Sequence, residues 1–109
     1  MNRIESLERL LEKGQDNALL RFGLGREYLT AGDAQQAVVH FQAAVAHDPD
    51  YSAAWKGLGQ ALTQLQRARD AAGAFQDGIA AAQRRGDAQV GREMEVFLKR
   101  LRRQLPESG

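Results

Sequence analysis

The chain has 109 residues, of which 43% are hydrophobic and 27% charged, a composition typical of one globular domain rather than a disordered segment. Fifteen Lys and Arg residues against fourteen Asp and Glu give a net charge of +1, so the charge gives no general reason to expect nucleic acid or an anionic membrane as a partner. The absence of Cys excludes disulfides, thiolate metal sites and a Cys nucleophile.

The first predicted helix covers residues 3–13, where apolar residues recur at helical spacing and charged residues fill the other face. Gly14 is expected to end it in a left-handed conformation. Asp16 or Asn17 is then expected to cap the second helix, residues 18–31, through a side-chain oxygen.

The second helix is apolar over more than half of its circumference, so it is expected to contact neighbours on two sides. Gly25 has no side chain and lets another helix approach closely, which must outweigh about 1 kcal/mol of helix propensity lost relative to Ala. Gly32 ends this helix, and Asp33 caps the third helix, residues 34–46.

Pro49 stops the third helix, because it restricts the residue before it and has no backbone donor. Ser52 or Asp50 is expected to cap the fourth helix, residues 53–66, and Asp70 the fifth, residues 71–84.

Gln83 stands thirty-four residues after Pro49, so the fifth helix is expected to continue until Gly86. Asp87 caps a final helix that reaches Leu105, followed by a short polar tail.

An internal repeat with a period of thirty-four residues underlies this pattern. The paired positions are Leu24 and Leu58, Gly25 and Gly59, Tyr28 and Leu62, Ala37 and Ala71, and Phe41 and Phe75. With Trp55 opening the second copy and Pro49 closing the first, this motif resembles the tetratricopeptide repeat. The first copy has Arg21 where the repeat has Trp, and the second copy lacks the Pro.

The resemblance implies an all-α solenoid of antiparallel helix pairs, with about six helices in a right-handed superhelical stack. The expected division is a capping helix in 1–14, repeats in 18–51 and 52–85, a longer capping helix in 86–105, and a tail in 106–109. Caps are expected because two repeats alone leave both ends of the stack uncovered.

No reactive constellation accompanies the repeat, so the sequence predicts a protein that is not an enzyme and has no cofactor. His40 and His47 lie on one face of a helix, but no carboxylate falls between them at helical spacing, and no metal site is predicted. Trp55 is interpreted as a packing residue rather than a binding platform. Tyr28 and Phe41 are likewise expected in the core.

In the family, the first helix of each repeat lines a concave groove that holds a peptide from a partner protein. The resemblance therefore implies an adaptor that binds an unidentified protein or peptide through groove residues off the core stripe. These residues are Leu19, Phe22, Arg26 and Leu29 in the first copy and Ala53, Lys56, Gln60 and Thr63 in the second.

Two alternatives remain open at this point. In the first, the final helix pairs with a second copy of the chain through Phe97, Leu98 and Leu101. In the second, which is less favoured, the basic cluster of Lys99, Arg100, Arg102 and Arg103 binds nucleic acid. Because no apolar run reaches membrane-spanning length and the first residues lack the apolar core of a secretory signal, the sequence predicts a cytoplasmic protein with no membrane partner.

Overall fold

The computed structural model describes residues 2–105, whose regular structure consists of six α-helices. The helices are α1 (Arg3–Glu12), α2 (Ala18–Thr30), α3 (Ala34–His47), α4 (Ser52–Gln64), α5 (Ala68–Arg85) and α6 (Ala88–Gln104). The predicted all-α fold is confirmed. The predicted bounds hold within two residues except at the start of α5, which begins three residues early.

Each helix packs against the next one along the chain, so the helices form a stack that measures 48 × 29 × 21 Å. Helices α2 and α4 also touch each other, as do α4 and α6, which places these three side by side. Helices α3 and α5 pack against α2 and α4 and complete the core between the two layers.

Two buried phenylalanines hold the helix pairs together at glycine positions. Phe41 has no exposed surface and lies against both Gly25 and Gly57, where an added Cβ would come within 2.7 Å and 2.5 Å of its ring. Phe75 lies in the same way against Gly59, where a Cβ would come within 2.4 Å. The predicted close approach at Gly25 therefore recurs one repeat later.

The predicted caps are only partly correct. The side chains of Asn17 and Asp33 accept the backbone N–H groups that start α2 and α3. Neither Ser52 nor Asp50 caps α4. The Ser52 hydroxyl is buried and donates instead to the carboxylate of Asp87 at 2.5 Å. Asp87 precedes α6 as expected, but its side chain makes no capping hydrogen bond.

The prediction for Asp70 is wrong for a different reason. Helix α5 already begins at Ala68, so Asp70 lies inside its first turn and pairs with Arg67 at 2.7 Å. The helix then continues without a proline to Arg85 and ends at Gly86, whose φ of +80° is left-handed, as the sequence predicts.

Gln66 shows that the turn geometry of the first repeat is kept without its glycine. Gly32 ends the first copy of this turn with φ +86°, and Gln66 holds the same position with φ +61°. Such a conformation costs about 1–2 kcal/mol for a residue with a Cβ. Packing of the helices on either side must supply that free energy.

Candidate functional site

Three adjoining cavities run along the side of the stack formed by α2, α4 and α6. The first lies between α1 and α2, has a volume of about 380 Å³, and is lined by Arg3, Leu7, Leu19, Gly23, Arg26, Glu27 and Thr30. The second lies between α2 and α4, measures about 340 Å³, and is lined by Phe22, Arg26, Leu29, Thr30, Phe41, Ala53, Lys56, Gly57 and Gln60.

The third cavity reaches α6, measures about 290 Å³, and is lined by Leu29, Gln60, Thr63, Gln64, Phe75 and Phe97. Arg26 and Thr30 line both the first and second cavities, while Leu29 and Gln60 line both the second and third. The three therefore form one continuous depression, called here the central groove.

Each end of the central groove carries apolar side chains, which in the first cavity lie beside the paired charges of Arg3 and Glu27. At one end, Leu19 is 72% exposed although it is a large aliphatic side chain. At the other end, Leu29 lies beside the aromatic pair of Phe75 and Phe97, whose ring centroids are 5.5 Å apart and nearly parallel. Apolar side chains that adjoin one another on a surface, as Leu29 and Phe97 do, are typical of surfaces that bind other molecules.

The middle of the groove carries two cations, Arg26 and Lys56. Arg26 is exposed, lies 5.7 Å from the centre of the Phe22 ring, and makes no ion pair with any of residues 2–105. Lys56 differs, because its Nζ lies 3.2 Å from Oε1 of Glu93 on α6. Within the part of the chain that the structure describes, the groove therefore has one unpaired cation rather than the two that the sequence suggests.

The residues assigned to the groove from the sequence all line one of the three cavities. The structure brings together six of them around the second cavity: Phe22, Arg26, Leu29, Ala53, Lys56 and Gln60. Leu19 lies in the first cavity and Thr63 in the third. Their role in binding stays a prediction.

The sequence-based assignment of α6 needs correction. Leu98 and Leu101 are only 6% and 4% exposed, because both belong to the core of this chain. Their burial contradicts the expectation that these two side chains are free to pair with a second copy. Phe97 is half-buried and lines the central groove instead.

The basic cluster at the end of α6 (Lys99, Arg100, Arg102 and Arg103) is exposed, and none of its members pairs with a carboxylate of the described residues. Cations in the last turns of a helix complement its dipole. The cluster lies outside the central groove.

His40 is buried rather than solvated, which the sequence does not reveal. Its ring stacks on Tyr28 with 5.4 Å between the ring centroids, and Arg21 Nη1 lies 3.1 Å from its Nδ1. Because a guanidinium can only donate, Nδ1 must accept, which requires a neutral imidazole. Burial, reinforced by the charge of Arg21, lowers the pKa of His40.

Arg21 occupies the position that Trp55 has in the second copy of the repeat, and each of the two side chains contacts the loop before its helix. Trp55 ties α4 to the preceding loop by donating to the carbonyl of Pro49 at 2.8 Å. Arg21 ties α2 to its own preceding loop by pairing with Asp16 at 2.7 Å. This contact, together with a hydrogen bond that Asp16 accepts from His47 Nε2, lowers the pKa of Asp16 to about 2.

The histidines do have carboxylates nearby, but from other elements than their own helix. His47 Nε2 lies 3.0 Å from Asp16, and His40 Nε2 lies 4.0 Å from Glu8 on α1. Within residues 2–105, no group of three or more His, Asp or Glu side chains is arranged to hold a metal ion. Across the same residues, the helices are too short or too polar to cross a membrane.

Comparison with known proteins gives consistent matches. The family model of the tetratricopeptide repeat matches residues 28–91. The TPR repeat-containing protein PA0015 of Pseudomonas aeruginosa is 54% identical over 103 residues, which cover 92% of this chain and 95% of the relative.

Two solved structures extend the match to the fold. Protein BPP2914 of Bordetella parapertussis is 45% identical with a TM-score of 0.82, covering 95% of this chain and 90% of that protein. A tetratricopeptide repeat domain protein of Salinibacter ruber is 25% identical with a TM-score of 0.76, covering 84% and 93% of the two chains.

Proposed function

Because this chain belongs to the tetratricopeptide repeat family, whose members generally mediate contacts between proteins, we propose that it is a non-catalytic module that binds a peptide segment of a partner protein in the central groove. In this proposal α2–α3 and α4–α5 are the two repeats, and α1 and α6 are the capping helices. A cytoplasmic location stays a prediction from the sequence.

The observation that carries the proposal is the unpaired charge of Arg26, with Leu19 exposed on one side of it and Leu29 with Phe97 on the other. A carboxylate is the natural partner of a guanidinium, because the two groups can form charge-assisted hydrogen bonds of matching geometry. Apolar side chains on either side of that carboxylate would remove Leu19 at one end and Leu29 with Phe97 at the other from water. The expected ligand is therefore a segment with an acidic residue flanked by apolar ones.

Selection from a random dodecapeptide phage library tests this proposal and does not require the partner protein to be identified first. We expect the wild-type protein to enrich peptides that carry an acidic residue between apolar residues. The Arg26→Glu variant is expected to bind the same peptides about tenfold or more weakly, because the reversed charge repels the carboxylate.

Arg69→Glu is the matched control, because Arg69 is an exposed cation on α5 outside the central groove. It changes the net charge by the same amount and is expected to leave binding unchanged. Circular dichroism must show the same helix content for all three proteins. The proposal fails if the wild-type protein enriches no common peptide, or if the two variants weaken binding equally.

A further inference from the structure

Glu93 on α6 occupies a position that is glycine in both earlier copies of the repeat. Adding thirty-four to Gly25 gives Gly59, and adding thirty-four again gives Glu93. The two glycines admit the rings of Phe41 and Phe75. No described helix follows α6, so the third position has no such packing requirement, and it carries a carboxylate instead.

The carboxylate of Glu93 reaches α4 and engages a groove residue. Its Oε1 lies 3.2 Å from Nζ of Lys56, which lines the second cavity. The side chains of Lys56 and Glu93 are 26% and 41% exposed, so the pair is partly shielded from water. A partly shielded pair is screened by salt less than a fully exposed one.

This ion pair changes the charge that the central groove presents to a ligand. Arg3 in the first cavity pairs with Glu27 at 2.7 Å, and Lys56 pairs with Glu93. Among the cations that line the groove in residues 2–105, only Arg26 keeps an unpaired charge. A second carboxylate on the ligand would have to displace the Glu93 carboxylate from Lys56. The displaced carboxylate would then repel it, because both groups are negatively charged.

We infer that Glu93 determines the charge specificity of the central groove, by occupying Lys56 and thereby restricting the ligand to one acidic residue placed opposite Arg26. This inference rests on the peptide-binding function proposed above. Repulsion of the wrong ligand is a common source of specificity, because discrimination depends on the difference between two affinities. Glu93 thus excludes ligands that Lys56 alone would admit.

The test repeats the dodecapeptide selection with Glu93→Gln, which keeps the size of the side chain and removes its charge. The wild-type protein is expected to enrich peptides with one acidic residue, and Glu93→Gln to enrich peptides with two. A two-acid peptide from that second selection should bind Glu93→Gln roughly tenfold more tightly than it binds the wild-type protein.

Glu95→Gln is the matched control. Glu95 lies two residues away on the same helix, but it is exposed and lines a cleft between α5 and α6 rather than the central groove. It is expected to select the same peptides as the wild-type protein. Thermal unfolding followed by circular dichroism checks that each variant is folded.

A second variant, Glu93→Ala, keeps the inference open to contradiction if Glu93→Gln does not fold. It removes the same carboxylate at a position that is glycine in both earlier copies, so it should also enrich peptides with two acidic residues. If it enriches the same one-acid peptides as the wild-type protein, the inference is wrong.

The two proposals fail in distinguishable ways. If the wild-type protein enriches one-acid peptides and Glu93→Gln enriches the same ones, the specificity role of Glu93 is overturned while the binding function stands. If the wild-type protein enriches nothing, the binding function fails and the inference fails with it.

Discussion

Replacing Phe41 with Ala is expected to lower the free energy of unfolding by about 3–5 kcal/mol. The ring of Phe41 is fully buried, fills the space beside Gly25 and Gly57, and lies 6.0 Å from the ring of Phe22. Its removal leaves a cavity at the junction of α2, α3 and α4. Since domains of this size are stable by about 5–15 kcal/mol, the variant should lose much of its stability in urea unfolding followed by circular dichroism.

Val39→Ala is the control on the same helix. Val39 is 49% exposed, so its truncation should change the free energy of unfolding by no more than about 0.5 kcal/mol. Equal losses in the two variants would contradict the claim that Phe41 holds the helix pairs together.

Replacing glycine with alanine is expected to change the free energy of unfolding in opposite directions at Gly59 and Gly73. Gly59→Ala is expected to destabilise the protein by about 1–3 kcal/mol, because the new Cβ would lie 2.4 Å from the Phe75 ring and force α4 and α5 apart. Gly73→Ala is expected to stabilise it by about 0.5–1 kcal/mol, because Gly73 lies within α5 with nothing near its missing Cβ.

Thermal or urea unfolding of both variants beside the wild-type protein measures the difference. Both residues are helical, so their intrinsic preference for Ala is the same and only the packing differs. If Gly59→Ala is as stable as Gly73→Ala, close packing at the repeated glycine is not what fixes the distance between α4 and α5.

The all-α solenoid was predicted from the resemblance to the tetratricopeptide repeat, which rests on a packing unit that occurs twice. Gly25 with Phe41 and Gly59 with Phe75 are spaced alike, and each pair meets in space for the same steric reason. Helix bounds followed where glycine or proline ends a helix, as at Gly32 and Gly86. Periodicity and local conformational preference therefore account for the helices and their bounds, while the stacked arrangement followed from the resemblance.

Capping was less predictable, since it depends on which other groups compete for a side chain. Ser52 stands at the start of a helix, where a hydroxyl commonly caps, but the carboxylate of Asp87 lies within reach only after α6 has packed against α4. Asp70 is likewise of a residue type that commonly caps a helix, but α5 begins two residues before it. Contacts that exist only in the folded chain decided these positions.

The candidate groove follows the period of the repeat through all three helices. Adding thirty-four to Leu29 gives Thr63, and adding it again gives Phe97, and all three line the third cavity. The period therefore contained the signal that places Phe97 in the groove, although the apolar stripe of α6 led to its assignment to self-association. An amphipathic pattern identifies the buried face of a helix without showing which neighbour it meets.

Nuclear magnetic resonance of the 15N-labelled protein, titrated with a library-selected one-acid peptide, shows which residues contact the ligand. We predict amide shift changes concentrated around the groove residues Phe22, Arg26, Leu29 and Gln60, with smaller changes at Phe97. Changes confined to the exposed basic face of α6, around Lys99 and Arg103, would contradict the claim that the central groove is the binding surface.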